Sequence, residues 1–174
     1  QGNNCSNVNR PFTDPSDCAA ILLIVSNNNF VLSNDLSYSG DGVFLGQYQY
    51  SQILNNNYFG YNNCSFSPHN AIEATFADGN VYEFNNCNYS HYGLWLGYSY
   101  NSIVRNNEII GNQYAGIAID RGFNNAISNN DISENLSEYG KNREPLTQEK
   151  IFNYFKDFKY ISPQGSIMNM LGND

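Results

Sequence analysis

Basic residues are scarce in this chain. Its 174 residues include 8 lysines and arginines against 16 aspartates and glutamates, so the formal net charge is −8. Arg105 is the single cation between Arg10 and Arg121. Because phosphate groups are bound mainly through lysine and arginine, this composition argues against a nucleic-acid groove or an anionic membrane surface as the partner.

Long apolar runs and threonine are scarce as well. The longest apolar run, residues 19–25, is far shorter than the roughly 20 residues of a membrane-spanning helix, so no membrane span is predicted. Three threonines cannot supply the regular array of small hydroxyl groups that an ice-binding surface would require. Ice binding is therefore set aside.

An asparagine motif recurs with a nearly fixed period. The pattern apolar–polar–Asn–Asn–any–apolar occurs at residues 54–59, 104–109 and 127–132, with looser copies at 31–36 and 82–87. A period in the twenties is typical of a solenoid of stacked coils. The repeated asparagine is predicted to form a hydrogen-bonded ladder from coil to coil. Steps of 23, 28, 22 and 23 residues separate its members, Asn34, Asn57, Asn85, Asn107 and Asn130.

Short apolar triplets keep the same phase as the asparagines. Side chains alternate between the two faces of a strand, so the first and third residues of each triplet are predicted to point inward. The two resulting columns are Ala20, Val43, Ile72, Leu94, Ile117 and Leu22, Leu45, Ala74, Leu96, Ile119. A third inward column follows the asparagine motif, namely Leu36, Phe59, Cys87, Ile109 and Ile132.

The composition divides the chain into three parts. Residues 1–18 lack the period and are predicted to form an N-terminal loop or cap, and residues 19–135 carry about five coils. The extra residues of the longer third unit are assigned to a loop at 60–70. Residues 136–174 form a charged tail, in which Thr147 and Pro163 bound a helix near 147–159.

Cysteines and glycosylation sequons favour a secreted, oxidising setting. The chain begins with Gln1 rather than Met, as expected of a mature protein or an excised fragment. Candidate disulfides are Cys5–Cys18 and Cys64–Cys87; unpaired thiols are the alternative, because Cys87 falls in an inward column. The candidate glycosylation sites are the Asn-x-Ser sequons at Asn4, Asn63, Asn88 and Asn135.

The Asn-Asn motif, flanked by apolar residues and followed by Gly-Ile-x-Ile at 116–119, resembles the right-handed parallel β-helix repeat family. That family includes the NosD-type periplasmic proteins and, more distantly, the pectate-lyase-like polysaccharide enzymes. The resemblance covers about residues 19–135. It implies an all-β, right-handed parallel β-helix that is often extracytoplasmic and often associated with carbohydrate. The matching residues are core and turn positions, so they assign no chemistry.

Signals for catalysis are sparse. Polysaccharide-active enzymes of this fold generally use clustered carboxylates with histidine or a basic residue, but the acidic residues here are scattered and no catalytic residue or cofactor is predicted. His69 and His91, the two histidines, lie 22 residues apart, about one coil, with Asp41 one coil earlier. They are weak candidates for a metal or acid–base site. Chance adjacency in exposed turns is the simpler alternative.

Large apolar residues at outward triplet positions predict an interaction face. Its members on the solenoid are Ile21, Phe44 and Trp95. Either the tail helix, through Ile151, Phe155 and Phe158, or another subunit is expected to cover them. Tyrosines beside these strands suit either a protein interface or stacking on sugar rings.

Two functional hypotheses follow. The leading one is a secreted, glycosylated, non-enzymatic subunit of an extracellular filament, coat or matrix, whose partner is itself or another extracellular protein. The alternative is a carbohydrate-binding module, or a remnant of a polysaccharide lyase or epimerase, whose partner is a glycan.

Overall fold

The computed structural model describes residues 1–8, 18–46 and 54–135, together with the backbone of residues 167–170. This part of the chain consists of short strands and turns, and it contains no helix that could cross a membrane. The strands are β1 (Ala19–Ile24), β2 (Phe30–Leu32), β3 (Asp41–Gly46), β4 (Leu54–Asn55), β5 (Tyr58–Gly60), β6 (Asn70–Thr75), β7 (Ala77–Asp78), β8 (Val81–Glu83), β9 (Tyr92–Gly97), β10 (Ile103–Arg105), β11 (Ala115–Asp120), β12 (Ala126–Ser128) and β13 (Ile167–Met170).

The strands pair in parallel across successive windings. A six-stranded sheet has the order β1-β3-β6-β9-β11-β13, a five-stranded sheet the order β12-β10-β8-β5-β2, and a smaller sheet pairs β4 with β7. A fourth face is a ladder of single bridges that starts at Asn4 and ends at Asp131. Four complete turns separate β1 from β11. The predicted all-β parallel solenoid is therefore confirmed.

Residues with a left-handed backbone end the strands at each corner. In the winding that begins with β6 they are Phe76, Gly79, Phe84 and Tyr89, with φ between 55° and 61°. Glycine adopts this conformation without strain, whereas aromatic residues rarely do. Here the aromatic corner residues stack on their equivalents in the next winding, as Phe76 does on Tyr98 with 4.6 Å between ring centroids. This packing offsets part of the backbone strain.

Apolar columns fill the interior. The columns from the six-stranded sheet are Ile21, Val43, Ile72, Leu94, Ile117 and Leu23, Leu45, Ala74, Leu96, Ile119. Those from the five-stranded sheet and the bridge ladder are Val31, Phe59, Tyr82, Val104, Ile127 and Leu36, Cys64, Cys87, Ile109, Ile132. Residues in the middle windings are fully buried, and their burial provides most of the stabilisation.

The predicted register of the first winding was wrong by one residue. β1 pairs with β3 so that Ile21 lies beside Val43 and Leu22 beside Phe44. Ile21 therefore packs against the core, and Leu22 points outward with 54% of its surface exposed. A shift of one residue reverses the faces of a whole strand, and the uniformly apolar β1 sequence contains no alternation that could have set the register.

The predicted register of the long winding was also wrong. Phe59 pairs with Tyr82, not with the Cys87 column, and Cys64 takes the position that was assigned to Phe59. One residue separates β6 from β7, whereas seven separate β3 from β4. The extra residues therefore belong to 47–53, outside the described residues, and not to the predicted loop at 60–70.

Asparagine side chains form ladders at two corners of the five-stranded sheet. The longer ladder joins Asn3, Asn34, Asn62, Asn85, Asn107 and Asn130, each amide donating to the next side-chain oxygen at 2.9–3.1 Å. Asn57 was predicted to be a rung of this ladder, but it lies in a second one with Asn29 and Asn80. The two corners are five residues apart in sequence and both favour asparagine, which explains the error.

Residues at both chain ends add to the stack. Gly2, Cys5 and Asn7 donate backbone hydrogen bonds to the first winding, so the stack extends into the segment that was predicted to be a loop or cap. At the other end, β13 pairs with β11. The predicted helix at 147–159 lies outside the described residues.

All four cysteines are free thiols, so neither predicted disulfide is present. Cys64 and Cys87 are buried neighbours in one column of parallel strands. Neighbouring strands are about 4.8 Å apart, and side chains in one column run side by side, so their Cβ atoms have a similar separation. The Cβ atoms of a disulfide are closer, at roughly 3.8 Å. Cys5 packs against the core of the stack.

The side-chain amides of two predicted glycosylation sites donate hydrogen bonds within the fold. Asn135 Nδ2 donates to Ile109 O at 2.7 Å, and Asn88 Nδ2 donates to Glu108 Oε1. Both residues are buried, and a glycan on either amide would displace these bonds. Asn4 is exposed and Asn63 is partly exposed, so both remain candidates, although Asn63 Nδ2 also donates to Asp35 Oδ1 at 3.2 Å.

Candidate functional site on the six-stranded sheet

The outward residues of the six-stranded sheet form one continuous column. Leu22, Phe44, Glu73, Trp95 and Ala118 lie beside one another in register on consecutive strands. Two of the three predicted interaction residues on the solenoid, Phe44 and Trp95, are therefore on this face. Ile21 is not, and Ile151, Phe155 and Phe158 lie outside the described residues.

Glycines make room for the large rings of this column. A Cβ atom at Gly46 would lie 3.0 Å from the Phe44 ring, and one at Gly97 would lie 2.9 Å from Trp95 Nε1. Each ring therefore leans over the glycine two residues further along its strand. The sequence pattern aromatic–x–Gly at 44–46 and 95–97 is a local signal for this arrangement.

A cluster of polar side chains lies at the start of β3 and β6. His69 Nδ1 is 2.9 Å from Asp41 Oδ1 and 3.3 Å from Glu73 Oε2. The backbone N–H of Asn70 donates to Asp41 Oδ1 at 2.8 Å, and its side-chain Nδ2 donates to Glu73 Oε2 at 2.7 Å. Thr75 donates to the other Glu73 oxygen at 3.2 Å. We call Asp41, His69, Asn70 and Glu73 the polar cluster.

Two oxygen atoms of the polar cluster are buried without a hydrogen-bond partner. They are Asp41 Oδ2 and Asn70 Oδ1. Asp41 is fully buried, and Asn70 exposes 2% of its surface. Buried acceptors of this kind are unfavourable, and in native structures they are rare enough to need an explanation.

Burial dominates the electrostatics of Asp41. It raises the pKa of this carboxyl group from 3.8 to about 7, while the hydrogen bond and charge of His69 oppose part of the rise. The two arginines of the range 54–135 do not contribute: Arg105 pairs with Glu83 at 2.9 Å, and the Arg121 guanidinium lies over the Tyr98 ring at 5.1 Å. Asp41 can therefore gain or lose a proton near neutral pH.

An aromatic group adjoins the polar cluster on the next winding. Tyr92 lies beside Asn70 in register. Its ring centroid is 5.0 Å from that of Trp95 and 4.7 Å from that of Tyr114. His91 packs against Tyr92 and Tyr114, and burial, followed by the charge of His69, lowers its pKa to about 4. We call His91, Tyr92, Trp95 and Tyr114 the aromatic group.

Sequence reasoning found part of this site. The structure brings Asp41 and His69 into contact, as the coil spacing suggested, whereas His91 belongs to the aromatic group. Asn70, Glu73 and Tyr92 were not among the predicted site residues. The available signal was that Glu73 and Trp95 occupy the same position of consecutive triplets.

Comparisons with known proteins agree with the fold. A family model described as "Periplasmic copper-binding protein (NosD)" matches residues 3–140. A crystal structure of a mutant of the periplasmic alginate epimerase AlgG superposes with a TM-score of 0.54 and 14% sequence identity. The match covers 88% of this chain and 40% of that chain, so this chain spans less than half of the epimerase. No curated protein matches.

Proposed function

We propose a function from the premise that the chain belongs to the NosD family. It is an exported β-helix protein that binds neutral carbohydrate on the outer face of its six-stranded sheet. The observation that carries the proposal is the contact between the aromatic group and the polar cluster. The family and the epimerase are both described as periplasmic, which supports export of this chain.

The two halves of the site suit the two kinds of surface on a sugar ring. An aromatic side chain brings a large apolar face to a surface site. The partly exposed Trp95 does so here, and its ring packs against the buried ring of Tyr92. His69 and Glu73, the partly exposed members of the polar cluster, are hydrogen-bonding groups for hydroxyls. A few convergent polar groups beside an aromatic surface are typical of small-molecule sites.

Charge favours a neutral sugar over an acidic one. The polar cluster contributes two carboxyl groups, and the chain carries a net charge of −8. Both arginines of the range 54–135 are engaged elsewhere, so a uronate carboxylate would meet His69 as its main basic partner. Desolvating a carboxylate beside Asp41 and Glu73 is unfavourable. A neutral hexose oligomer avoids this repulsion.

Glycan binding can be measured by calorimetry on the purified chain. We expect neutral hexose oligosaccharides to bind and Trp95→Ala to weaken the affinity by about tenfold, which corresponds to about 1.4 kcal/mol. Phe123→Ala is the matched control, because Phe123 is an exposed aromatic residue on another face. The proposal fails if no neutral oligosaccharide binds, or if Trp95→Ala binds as tightly as the wild type.

A second candidate function is self-association through the first winding. Leu22 and Phe30 are exposed there by 54% and 72%, and large exposed apolar residues at the end of a β-stack favour contact with another chain. This supports the structural or assembly hypothesis. Light scattering after size exclusion tests it: we expect assemblies that Phe30→Glu disrupts, while a monomer at every concentration would contradict the hypothesis.

A further inference from the structure

We propose that the polar cluster is a binding site for one divalent transition-metal ion, with Asp41, His69 and Glu73 as ligands and Asn70 Oδ1 as the fourth. This inference does not rest on carbohydrate binding, because it concerns the donor atoms alone. The argument has three steps: the spacing of the donors, the unpartnered oxygen atoms and the chemical character of the ligands.

The donor spacing is close to that around a bound metal ion. One donor atom from each of Asp41, His69 and Glu73 lies within 4.8 Å of the other two. In a tetrahedral zinc site the donors are about 3.4 Å apart, given metal–ligand distances near 2.1 Å. His69 Nδ1 is already 2.9 Å and 3.3 Å from its two carboxylate neighbours. Small side-chain movements would therefore complete the coordination.

The two unpartnered oxygen atoms indicate a missing positive charge. Asp41 Oδ2 and Asn70 Oδ1 are acceptors, and neither has a hydrogen-bond donor within the described residues. Both residues are at least nine-tenths buried, so bulk water does not compensate. A cation between the carboxylates would coordinate Asp41, and a half-turn of the Asn70 amide would supply its oxygen as a further ligand. An anion would leave both acceptors unsatisfied.

The ligand set restricts the ion. Imidazole nitrogen with carboxylate and amide oxygens suits divalent zinc or copper, whereas Cu⁺ prefers thiolate and thioether ligands. Cys64 and Cys87 belong to an inward column and are not part of the cluster. The cluster therefore fits Cu²⁺, the divalent ion of the metal in the family description, and it does not fit Cu⁺. Among divalent ions, Cu²⁺ should bind more tightly than Zn²⁺.

Calorimetric titration of the chelator-treated full chain with Zn²⁺ tests the site. We expect one ion per chain, and we expect His69→Gln and Glu73→Gln each to weaken binding by at least about tenfold, a loss seen even when outer-shell partners are removed. Asp131→Asn is the matched control: it removes an exposed carboxylate on the bridge ladder, away from the polar cluster, and should leave the affinity unchanged.

Fluorescence provides a second readout. Trp95 is the single tryptophan and lies beside Glu73 in register, so Cu²⁺ should quench it in the wild type and not in His69→Gln at the same concentration. Glu73→Gln is the safer variant for folding, because Glu73 is partly exposed. The proposal is overturned if Zn²⁺ does not bind stoichiometrically, or if binding survives both His69→Gln and Glu73→Gln; the cluster would then be a hydrogen-bonded group only.

Discussion

The central rung of the longer asparagine ladder should be worth several kilocalories per mole. Asn85 accepts hydrogen bonds from Asn62 N and Asn62 Nδ2, both at 3.0 Å. It donates to Phe59 O at 2.9 Å and to Asn107 Oδ1 at 3.1 Å. All four bonds are buried. At about 1 kcal/mol per bond, Asn85→Ala should lower the free energy of unfolding by about 4 kcal/mol.

The last rung of the same ladder provides the matched comparison. Asn130 makes three side-chain hydrogen bonds, which link it to Asn107 and to Val104 O at 2.9 Å each. It lies at the edge of the five-stranded sheet and is partly exposed. Water can replace its bonds, so Asn130→Ala should cost about 1–2 kcal/mol.

Urea denaturation monitored by Trp95 fluorescence measures both variants. We expect Asn85→Ala to unfold at a clearly lower urea concentration than Asn130→Ala, with both transitions retaining the wild-type slope. An Asn85→Ala cost equal to or below that of Asn130→Ala would refute the reasoning, because the ladder would then contribute no more in the core than at its end.

Two further predictions concern a glycine and a histidine. Gly93→Ala should destabilise the chain by about 2 kcal/mol, because its new Cβ would overlap Ile109 Cγ2 and the backbone oxygen of Gly116; an unchanged urea midpoint would contradict this. Burial, with the charge of His69, lowers the pKa of His91 from 6.5 to about 4, so the unfolded chain takes up this proton first as the pH falls. The wild type should lose about 3 kcal/mol between pH 7 and pH 4, and His91→Phe should lack that part of the loss; equal slopes in denaturation series would refute it.

The fold could be predicted from the sequence to the level of strand positions in the middle windings. Leu94 and Leu96 are examples of correctly predicted inward residues, and Asn85 and Asn107 of correctly predicted ladder residues. Their positions could be assigned because several repeats show the same pattern. The errors fall where this agreement is missing. β1 is apolar throughout, and the winding with Asn57 and Asn62 contains two overlapping copies of the motif.

The candidate site was harder to predict because its parts come from different windings. Asp41 and His69 are 28 residues apart, since their winding contains the extra residues, whereas Asn70 and Tyr92 are 22 apart. Local sequence cannot show which residues a coil of unequal length brings together. Glu73 lacked any motif of its own, and only its register next to Phe44 and Trp95 places it in the cluster.

The sequence by itself determined that this chain winds into a parallel β-helix with asparagine ladders. Each coil repeats the same local preferences, namely asparagine at corners and apolar residues in alternation, and these preferences depend on near neighbours alone. The tertiary structure decided the register of the first and the long winding, the burial of three of the four free thiols and the meeting of Asp41, His69 and Glu73. Those features depend on how successive coils align, and that alignment is a property of the whole stack.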